Sequence, residues 1–485
     1  MLSLSKIKQV TEIALQDYPI TSARYRAGDP TVTAQLNAIQ HMLAEIGRDI
    51  EISELEPFRK SREATILADA SNKGILPIGT PCQHYVRISN NGSDRVILQS
   101  GRVFEDGQGR PWRLLQNAEI QAGGYVDILA EQSQIRQITR TIIETIPFYQ
   151  FSVPIEDDMS MVTMSVTDQE QNAYSFITRW MNSSAGEYAI TLSTNSLREI
   201  TLEFGDSTRF GRTLEANTEL SISIIETYGE LDASALKEAM LQQVNTAQES
   251  KLQMKFLTDG LVRMGANPLS IDQMRLLASY PTHDDNAVFL GNFDFLVRKK
   301  FMARCHYLHV WNETIHERHY GANVKNINHL FVCVVPKHQN EYSLICDEIR
   351  QLIGRVDSLY SGERTVFHAV EERPFNIYIS ATLSSVHDVD TVSSQIKTLL
   401  MSNYGKEQIA SSYNLEEGFN LQEIIKLINA QIVAFQDRQS DFNIWIESLS
   451  DAPIKPNQWL YVNEQSIHID IKRSSGVGGG LWAVY

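Results

Sequence analysis

Apolar positions repeat at helical spacing in the first part of the chain. Asp29-Pro30 combines a typical N-cap residue with proline at the first helical position. Apolar residues then recur at intervals of 4, 3, 4, 3 and 4, at Val32, Leu36, Ile39, Leu43, Ile46 and Ile50. Such spacing is typical of the seam of a helical bundle or a short coiled coil. A helix facing its own core would show the same pattern, and the sequence alone leaves both interpretations open.

After these helices the period shortens to the alternation of apolar and polar residues that is typical of half-buried strands. Turn signals at Asn91-Gly92 and Asp106-Gly107 separate short strands and indicate hairpins. We therefore predict a small β-domain over residues 76–146. A second β-rich domain is predicted over residues 147–231, where residues 220–224 alternate strictly.

The rest of the chain is expected to combine helices and strands. Residues 232–266 are polar and helix-prone and are predicted to form a helical connector. A mixed α/β region with inter-subunit contacts is predicted over residues 267–449. A short C-terminal tail follows over residues 450–485, with strands predicted at residues 459–461 and 467–471. Together with an N-terminal helical bundle segment over residues 1–75, these segments indicate an α+β multidomain protein with two β-rich domains and C-terminal mixed α/β domains.

In the mixed α/β region helices are predicted to begin at the caps Asp388 or Asp390 and at the cap Asn420. The helix that begins at Asn420 carries a second apolar stripe. A stripe of this kind is typical of core packing rather than of a ligand site, and any exposed part of it is a candidate interface. The positions that we predict to contact partner subunits are Val32, Leu36, Ile39, Leu43, Ile46, Ile50, Ile424, Ile428 and Ile432.

Composition and charge narrow the classes of function. The chain has 485 residues, of which 42% are hydrophobic and 21% charged, so wholesale disorder is excluded. A net charge of −16 argues against nucleic-acid binding as the main role, because phosphate contacts require clustered Lys and Arg. Without a long apolar run or a signal-peptide pattern at the start, neither membrane insertion nor secretion is expected. Four cysteines without a Cys-x-x-Cys pair predict reduced, mostly buried thiols and synthesis in a cytoplasm.

Histidines cluster in one segment, since seven of the twelve lie between His283 and His338. His306, His309, His316 and His319 could supply four nitrogen ligands for zinc, and a metal-dependent hydrolase is therefore one alternative. However, the segment around His306 and His309 has the pattern of a strand, on which positions three apart point to opposite faces. We therefore predict no metal site.

Other apparent motifs lack the context that their chemistry requires. Gly476-Val477-Gly478-Gly479-Gly480 is not followed by the lysine of a phosphate-binding loop and is interpreted as a turn. The adjacent acids Asp157-Asp158 and Asp284-Asp285 are interpreted as solvated turns, because catalytic carboxylates usually face each other across a cleft. No nucleophile elbow or zinc-protease motif is present. The sequence therefore predicts no catalytic residue and no cofactor.

The segment from Ile200 to Gly229 is the most specific part of the sequence. It contains Phe204-Gly205-Asp206, then Gly211, a strictly alternating strand and Thr227-Tyr228-Gly229, which predicts a strand, a tight glycine turn, a short loop and a second strand. These residues closely resemble a segment of the J-like baseplate proteins, the larger wedge subunits of contractile phage tails. That family usually has glycine and proline where this chain has Ser207 and Leu214, and the glycine-asparagine that often follows the final turn is absent here.

Four other segments resemble the family in the same order along the chain, so the resemblance covers most of residues 60–435. They are residues 62–78, 98–106, 286–296 and 375–404.

The resemblance implies a non-enzymatic wedge subunit that forms part of a ring around the tail hub. It further implies that copies pair through N-terminal helices and C-terminal domains, beside other wedge proteins, sheath-initiator proteins and hub proteins. Baseplates of this family change diameter when the sheath contracts, and residues 232–256 are a candidate hinge. The expected location is the virion tail, assembled in the host cytoplasm. The corresponding baseplate subunit of a bacterial contractile injection particle is a close alternative, and a carbohydrate-binding tail protein is a third.

Overall fold

The computed structural model of the protein describes residues 4–55, 62–156, 158–280, 290–360, 362–408, 418–436, 439–450 and 452–473. Its helices are α1 (Leu4–Ala14), α2 (Pro19–Arg26), α3 (Pro30–Leu55), α4 (Glu63–Asn72), α5 (Ile271–Ala278), α6 (Leu290–Phe301), α7 (Glu313–Tyr320), α8 (Tyr342–Val356), α9 (Val389–Tyr404) and α10 (Leu421–Gln431). The predicted α+β multidomain fold class is confirmed.

Strands dominate the middle of the chain and return near its end. They are β1 (Gln83–Asn90), β2 (Val96–Leu98), β3 (Val103–Asp106), β4 (Pro111–Leu114), β5 (Ala118–Ile120), β6 (Tyr125–Glu131), β7 (Gln134–Thr141), β8 (Gln150–Pro154), β9 (Ser160–Asp168), β10 (Ser175–Ile177), β11 (Ala189–Ser196), β12 (Glu199–Phe204), β13 (Glu219–Thr227), β14 (Glu238–Leu241), β15 (Leu252–Arg263), β16 (Cys305–Asn312), β17 (Leu330–Pro336), β18 (Thr365–Phe367), β19 (Glu371–Pro374), β20 (Ile377–Leu383), β21 (Asp441–Ile446), β22 (Gln458–Tyr461) and β23 (Ile467–Arg473).

Helix starts follow the caps that the sequence indicates. At the start of α3, the Asp29 carboxylate accepts hydrogen bonds from the backbone N–H groups of Thr31 (3.0 Å) and Val32 (3.4 Å). Asp388 caps α9 and Asn420 caps α10 in the same way. These contacts satisfy N–H groups that have no partner inside the helix, which fixes where each helix begins. The predicted caps are confirmed.

The first β-domain is a closed barrel with strand order β1-β15-β14-β3-β4-β6. The prediction of a helical connector over residues 232–266 is wrong, because this segment supplies β14 and β15, and β15 pairs antiparallel with β1. Met254 and Phe256 of β15 are buried in the barrel core. Pairing and burial outweigh the helical propensity of the polar residues between them. Because residues 232–256 contribute to barrel closure, the hinge interpretation is wrong too.

The second β-domain is a two-sheet sandwich. One sheet has the order β10-β11-β12-β8 and the other β7-β13-β9, and their inner faces share one core. Thr227-Tyr228-Gly229 returns the chain from the sandwich to the barrel. Gly229 has a φ of +74°, and a Cβ there would lie 2.4 Å from Asn267 Oδ1, so this turn requires glycine.

The C-terminal part contains two α/β layers. The sheet β16-β17-β18 shares a core with α6 and α8, and the sheet β21-β20-β23 shares a core with α9 and α10. The two strands predicted within the C-terminal segment 450–485 are confirmed as β22 and β23: β22 pairs with β19 and β23 pairs with β20, both parallel. Ile467 and Leu460 are buried in the C-terminal core, and this burial stabilises the two strands against the rest of the α/β region.

Candidate functional site

The N-terminal helices expose an apolar face. Of the predicted seam positions, Val32 and Leu36 are half-buried, whereas Ile39 is 52% exposed and Leu43 46% exposed. The side chains of Ile46 and Ile50 lie outside the described residues. Further exposed apolar residues are Met42 on α3, Val10 and Ile13 on α1, and Tyr18 and Ile20 at the start of α2. We call the exposed residues on these three helices the N-terminal face.

The inner side of α3 carries polar side chains instead. Helix α3 packs against α1 and α2, and Gln40 is only 1% exposed. Neither polar atom of the Gln40 amide, nor the Thr33 hydroxyl, has a hydrogen-bond partner among the described residues. Burying an unpaired amide is costly, whereas Ile39 and Leu43 remain in water. Part of the seam therefore stays exposed, at Ile39 and Leu43, as expected of a helix that has a further partner.

The Phe204-Gly205-Asp206 segment closes a tight loop at the end of β12. The Asp206 N–H donates to the Phe210 carbonyl (2.7 Å), and the Phe210 N–H donates to the Asp206 carbonyl (2.9 Å). Hydrogen bonds from the backbone N–H and hydroxyl of Thr208 hold the pKa of the Asp206 carboxyl below its usual range. The residues of the motif therefore shape the loop.

Glycine is required at both ends of this loop. A Cβ on Gly205 would lie 2.2 Å from the Phe210 carbonyl oxygen and 2.7 Å from Gly211 Cα. Gly211 has a φ of +69°, and a Cβ there would lie 2.5 Å from the Trp180 ring. The glycines that carry the family resemblance are therefore explained by close backbone approach.

Large apolar side chains are exposed around this loop. Phe148, whose N–H donates to the Gly205 carbonyl (3.2 Å), packs its ring against Trp180 at 6.2 Å, and Met181 beside it is 81% exposed. We define the tip patch as Ile143, Ile146, Phe148, Met181 and Phe210, all of which are exposed. Sequence reasoning missed this patch, because its members come from three loops. Apolar residues inside predicted loops were the available signal.

The predicted interface positions on α10 lie elsewhere. Ile424 and Ile428 are fully buried, and Ile432 is 2% exposed, inside the core formed with β20 and α9. The prediction that these three side chains contact a partner is corrected, because they already pack within their own chain. The stripe belongs to an ordinary amphipathic helix.

The histidine cluster forms part of an aromatic core. The His316 ring stacks on Phe331 at 3.8 Å and accepts a hydrogen bond at Nδ1 from Trp311 Nε1 (3.4 Å). His309 Nδ1 lies 2.9 Å from the Pro456 carbonyl, and His306 stacks on Trp459. Among the described residues, no three His, Cys, Asp or Glu side chains are placed to hold a metal ion.

Burial of His316 predicts a dependence of stability on pH. Burial and the neighbouring His368 lower the pKa of His316 below its usual value of 6.5. The unfolded chain therefore binds a proton at this histidine at a higher pH than the folded chain does. The stabilisation provided by neutral His316 is present above about pH 6.5 and is lost as the pH falls below that value. We expect His316→Phe to be less stable than the wild type at pH 8. At pH 5 we expect this difference in stability to disappear. Unfolding midpoints at both pH values measure the difference, and a difference independent of pH would contradict the assignment.

A buried ion pair joins the barrel to the α/β region. Glu341, 2% exposed, accepts hydrogen bonds from Arg304 Nε (3.2 Å) and Nη2 (3.1 Å) at one carboxylate oxygen. Its other oxygen accepts from the backbone N–H of Met264, directly after β15. Arg304 also donates to Glu348 at 2.6 Å. No local sequence pattern predicts this cluster, because its members come from distant elements.

The remaining sequence features add no chemical site. Asp157, Asp284-Asp285 and residues 476–480 lie outside the described residues, and Asp158 is a surface residue with an ion pair to Arg198 (3.6 Å). All four cysteines are buried free thiols, which confirms that prediction. Within the described ranges, no helix is long and apolar enough to cross a membrane.

Comparisons with known proteins give low similarity throughout. No protein-family model and no curated protein matches the chain. A chain of the anti-feeding prophage baseplate is 12% identical with a TM-score of 0.29, over 95% of this chain and 90% of that chain. A chain of the type VI secretion TssK-TssF-TssG baseplate subcomplex is 9% identical with a TM-score of 0.31, over 70% and 96%. The group B streptococcus pilus 2b backbone protein is 10% identical with a TM-score of 0.14, over 32% of this chain and 53% of that chain. These TM-scores do not establish a shared fold.

Proposed function

We propose that the protein is a structural subunit of the baseplate of a contractile phage tail or of a bacterial contractile injection particle. The observation that carries this proposal is the apolar N-terminal face, which the described part of the chain leaves exposed while Gln40 is buried. The tip patch, which surrounds the loop that resembles the J-like family, supports it. Uncovered apolar surfaces of this kind are typical of subunits that function only within an assembly.

Within that role, the chain acts as the larger wedge subunit. Two copies pair through their N-terminal faces, and the tip patch contacts other wedge, sheath-initiator or hub proteins of the ring around the hub. Rearrangement of these subunits then follows sheath contraction. The subunit resides in the tail of the virion or injection particle and is assembled in the host cytoplasm. The domain limits given by the sequence remain proposals, with residues 232–266 reassigned to the barrel.

We propose no catalytic role. Three of the histidines that would serve a metal-dependent hydrolase, His306, His309 and His316, are engaged in stacking and hydrogen bonding within the aromatic core. Two observations favour an assembly protein over an enzyme: the buried Arg304–Glu341 cluster is paired internally, and the N-terminal face and the tip patch are apolar. Stoichiometric bound zinc in the purified protein would contradict this proposal.

Replacing Ile39 and Leu43 by aspartate tests the pairing of N-terminal faces. We expect the wild-type chain to be a dimer in solution and the Ile39→Asp/Leu43→Asp variant to be a monomer. Two charges in an apolar contact cost at least about 3 kcal/mol, or about 100-fold in the dissociation constant. The molecular mass measured by light scattering during size-exclusion chromatography gives the answer.

The matched control is Val324→Asp/Val386→Asp, which adds two charges at exposed valines outside both surfaces. This control is expected to remain a dimer. A wild-type monomer, or a double variant that dimerises as well as the wild type, would contradict pairing through this face.

A further inference from the structure

The sheet β21-β20-β23 has an open edge. Strand β21 is paired with β20 along its whole length, from Asp441 opposite Thr382 to Ile446 opposite Ile377. Among the described residues, no strand or other backbone group pairs with the outward side of β21. The Phe442 N–H donates to the Asp441 carboxylate (2.8 Å), so this edge is open to a further strand except at its first residues.

The two edge strands of this sheet differ in how well they are protected against pairing with a further strand. The other edge strand, β23, carries the charged residues Asp470, Lys472 and Arg473. Strand β21 has the sequence Asp-Phe-Asn-Ile-Trp-Ile, with a charge only at its first residue, no lysine or proline, and an unbroken register with β20. Charges, prolines and bulges are the means by which proteins block unwanted pairing at a sheet edge. Strand β21 lacks them, as expected of an edge that is meant to be paired.

The apolar layer beneath the sheet also stops short of this edge. On the inner face of β20, Ile377, Ile379 and Ala381 are buried. The corresponding residues of β21, Phe442 and Ile444, are only half-buried although they pack on the same core. One more strand with apolar residues on this face would complete their burial.

The outer face carries a row of stacked rings that ends at the open edge. Tyr378 in the centre stacks on His468 at 4.7 Å and 15°, and on Trp445 at 6.0 Å and 8°. Trp445 is 49% exposed. Because the rings stack on one another, they do not form the flat platform that a sugar ring requires. The row offers a further aromatic side chain a place beside Trp445, at the position that a new strand would occupy.

We propose that β21 accepts an extended segment of a partner subunit as a fourth strand. The segment has apolar residues facing the core, an aromatic residue opposite Trp445, and polar or basic residues opposite Asn443 and Asp441. The backbone groups of the edge favour a strand over any other occupant, and the alternation of faces sets the sequence pattern. The inference deepens the proposed assembly role and rests on it for the nature of the partner.

A peptide with this pattern tests the proposal on the full chain. The probe is acetyl-Ile-Tyr-Val-Thr-Ile-Lys-amide, written to pair antiparallel with β21, and its control is acetyl-Ile-Ile-Val-Tyr-Thr-Lys-amide, which has the same composition without alternation. We expect saturable binding of the probe with a dissociation constant below about 1 mM, and no saturable binding of the control. Hydrogen exchange of residues 441–446 should slow when the probe binds.

Two variants separate strand addition from general adhesion. Trp445→Ala is expected to weaken probe binding at least tenfold, whereas His468→Ala, at the far end of the same ring row, should leave it unchanged. The proposal would be overturned by absent probe binding, by equal binding of both peptides, or by binding without slower exchange in residues 441–446. Slow exchange of the outward amides of β21 in the isolated chain would overturn it as well. None of these results depends on dimerisation through the N-terminal face, so each proposal can fail separately.

Discussion

Gly205→Ala is expected to destabilise the β-sandwich by at least about 3 kcal/mol and to lower its unfolding midpoint by more than about 10 °C. The added Cβ would lie 2.2 Å from the Phe210 carbonyl oxygen, 2.7 Å from Gly211 Cα and within 2.9 Å of Arg212 N. All three are backbone atoms of a loop that is closed by its own hydrogen bonds, so the clash cannot be relieved by rotation of a side chain. The loop must open, and the tip patch loses its support.

The matched control is Gly107→Ala in the hairpin between β3 and β4, where a Cβ would meet nothing within 4 Å. This variant is expected to unfold within about 1 kcal/mol of the wild type. Differential scanning calorimetry of both variants makes the comparison. Equal midpoints for Gly205→Ala and the wild type would show that the loop does not need glycine there.

Arg304→Met is expected to cost about 3–5 kcal/mol, because it leaves the buried Glu341 carboxylate without its ion-pair partner. Glu341 is 2% exposed and also holds the backbone of Met264, so the loss weakens the junction between barrel and α/β region. Adding Glu341→Gln to Arg304→Met removes the unpaired charge and should recover part of the loss. Chemical unfolding of the three proteins measures the effect.

Arg350→Met serves as the control for this pair. Arg350 pairs with Asp347 at 2.8 Å, but both side chains are well exposed, so the expected change is below about 1 kcal/mol. Equal effects of Arg304→Met and Arg350→Met would contradict a structural role for the buried pair.

Local signals in the sequence predicted local structure well. Asp29, Asp388 and Asn420 cap helices as expected, because a cap depends only on residues that are close in sequence. The glycines around Asp206 were recognised as a turn, and the structure explains them by close backbone approach. The seam on α3 was recognised from its spacing, but the spacing could not show that Ile39 and Leu43 stay exposed while Gln40 is buried.

Features that depend on long-range pairing were missed. Residues 252–263 form a barrel strand because they pair with β1, which lies more than 150 residues earlier, and no helical propensity reports that contact. The stripe on α10 gave no sign of whether its partner was another subunit or the chain's own β20. The Arg304–Glu341 pair and the ring row at Trp445 likewise join elements that are distant in sequence.

The most direct test of the assembly role is the native mass of the chain co-expressed with the proteins encoded beside it. We expect a hetero-oligomer that contains two copies of this chain, and we expect Ile39→Asp/Leu43→Asp to break the contact between the copies. Val324→Asp/Val386→Asp should leave the complex intact. A monomer that binds none of its co-expressed neighbours would contradict the proposed baseplate role.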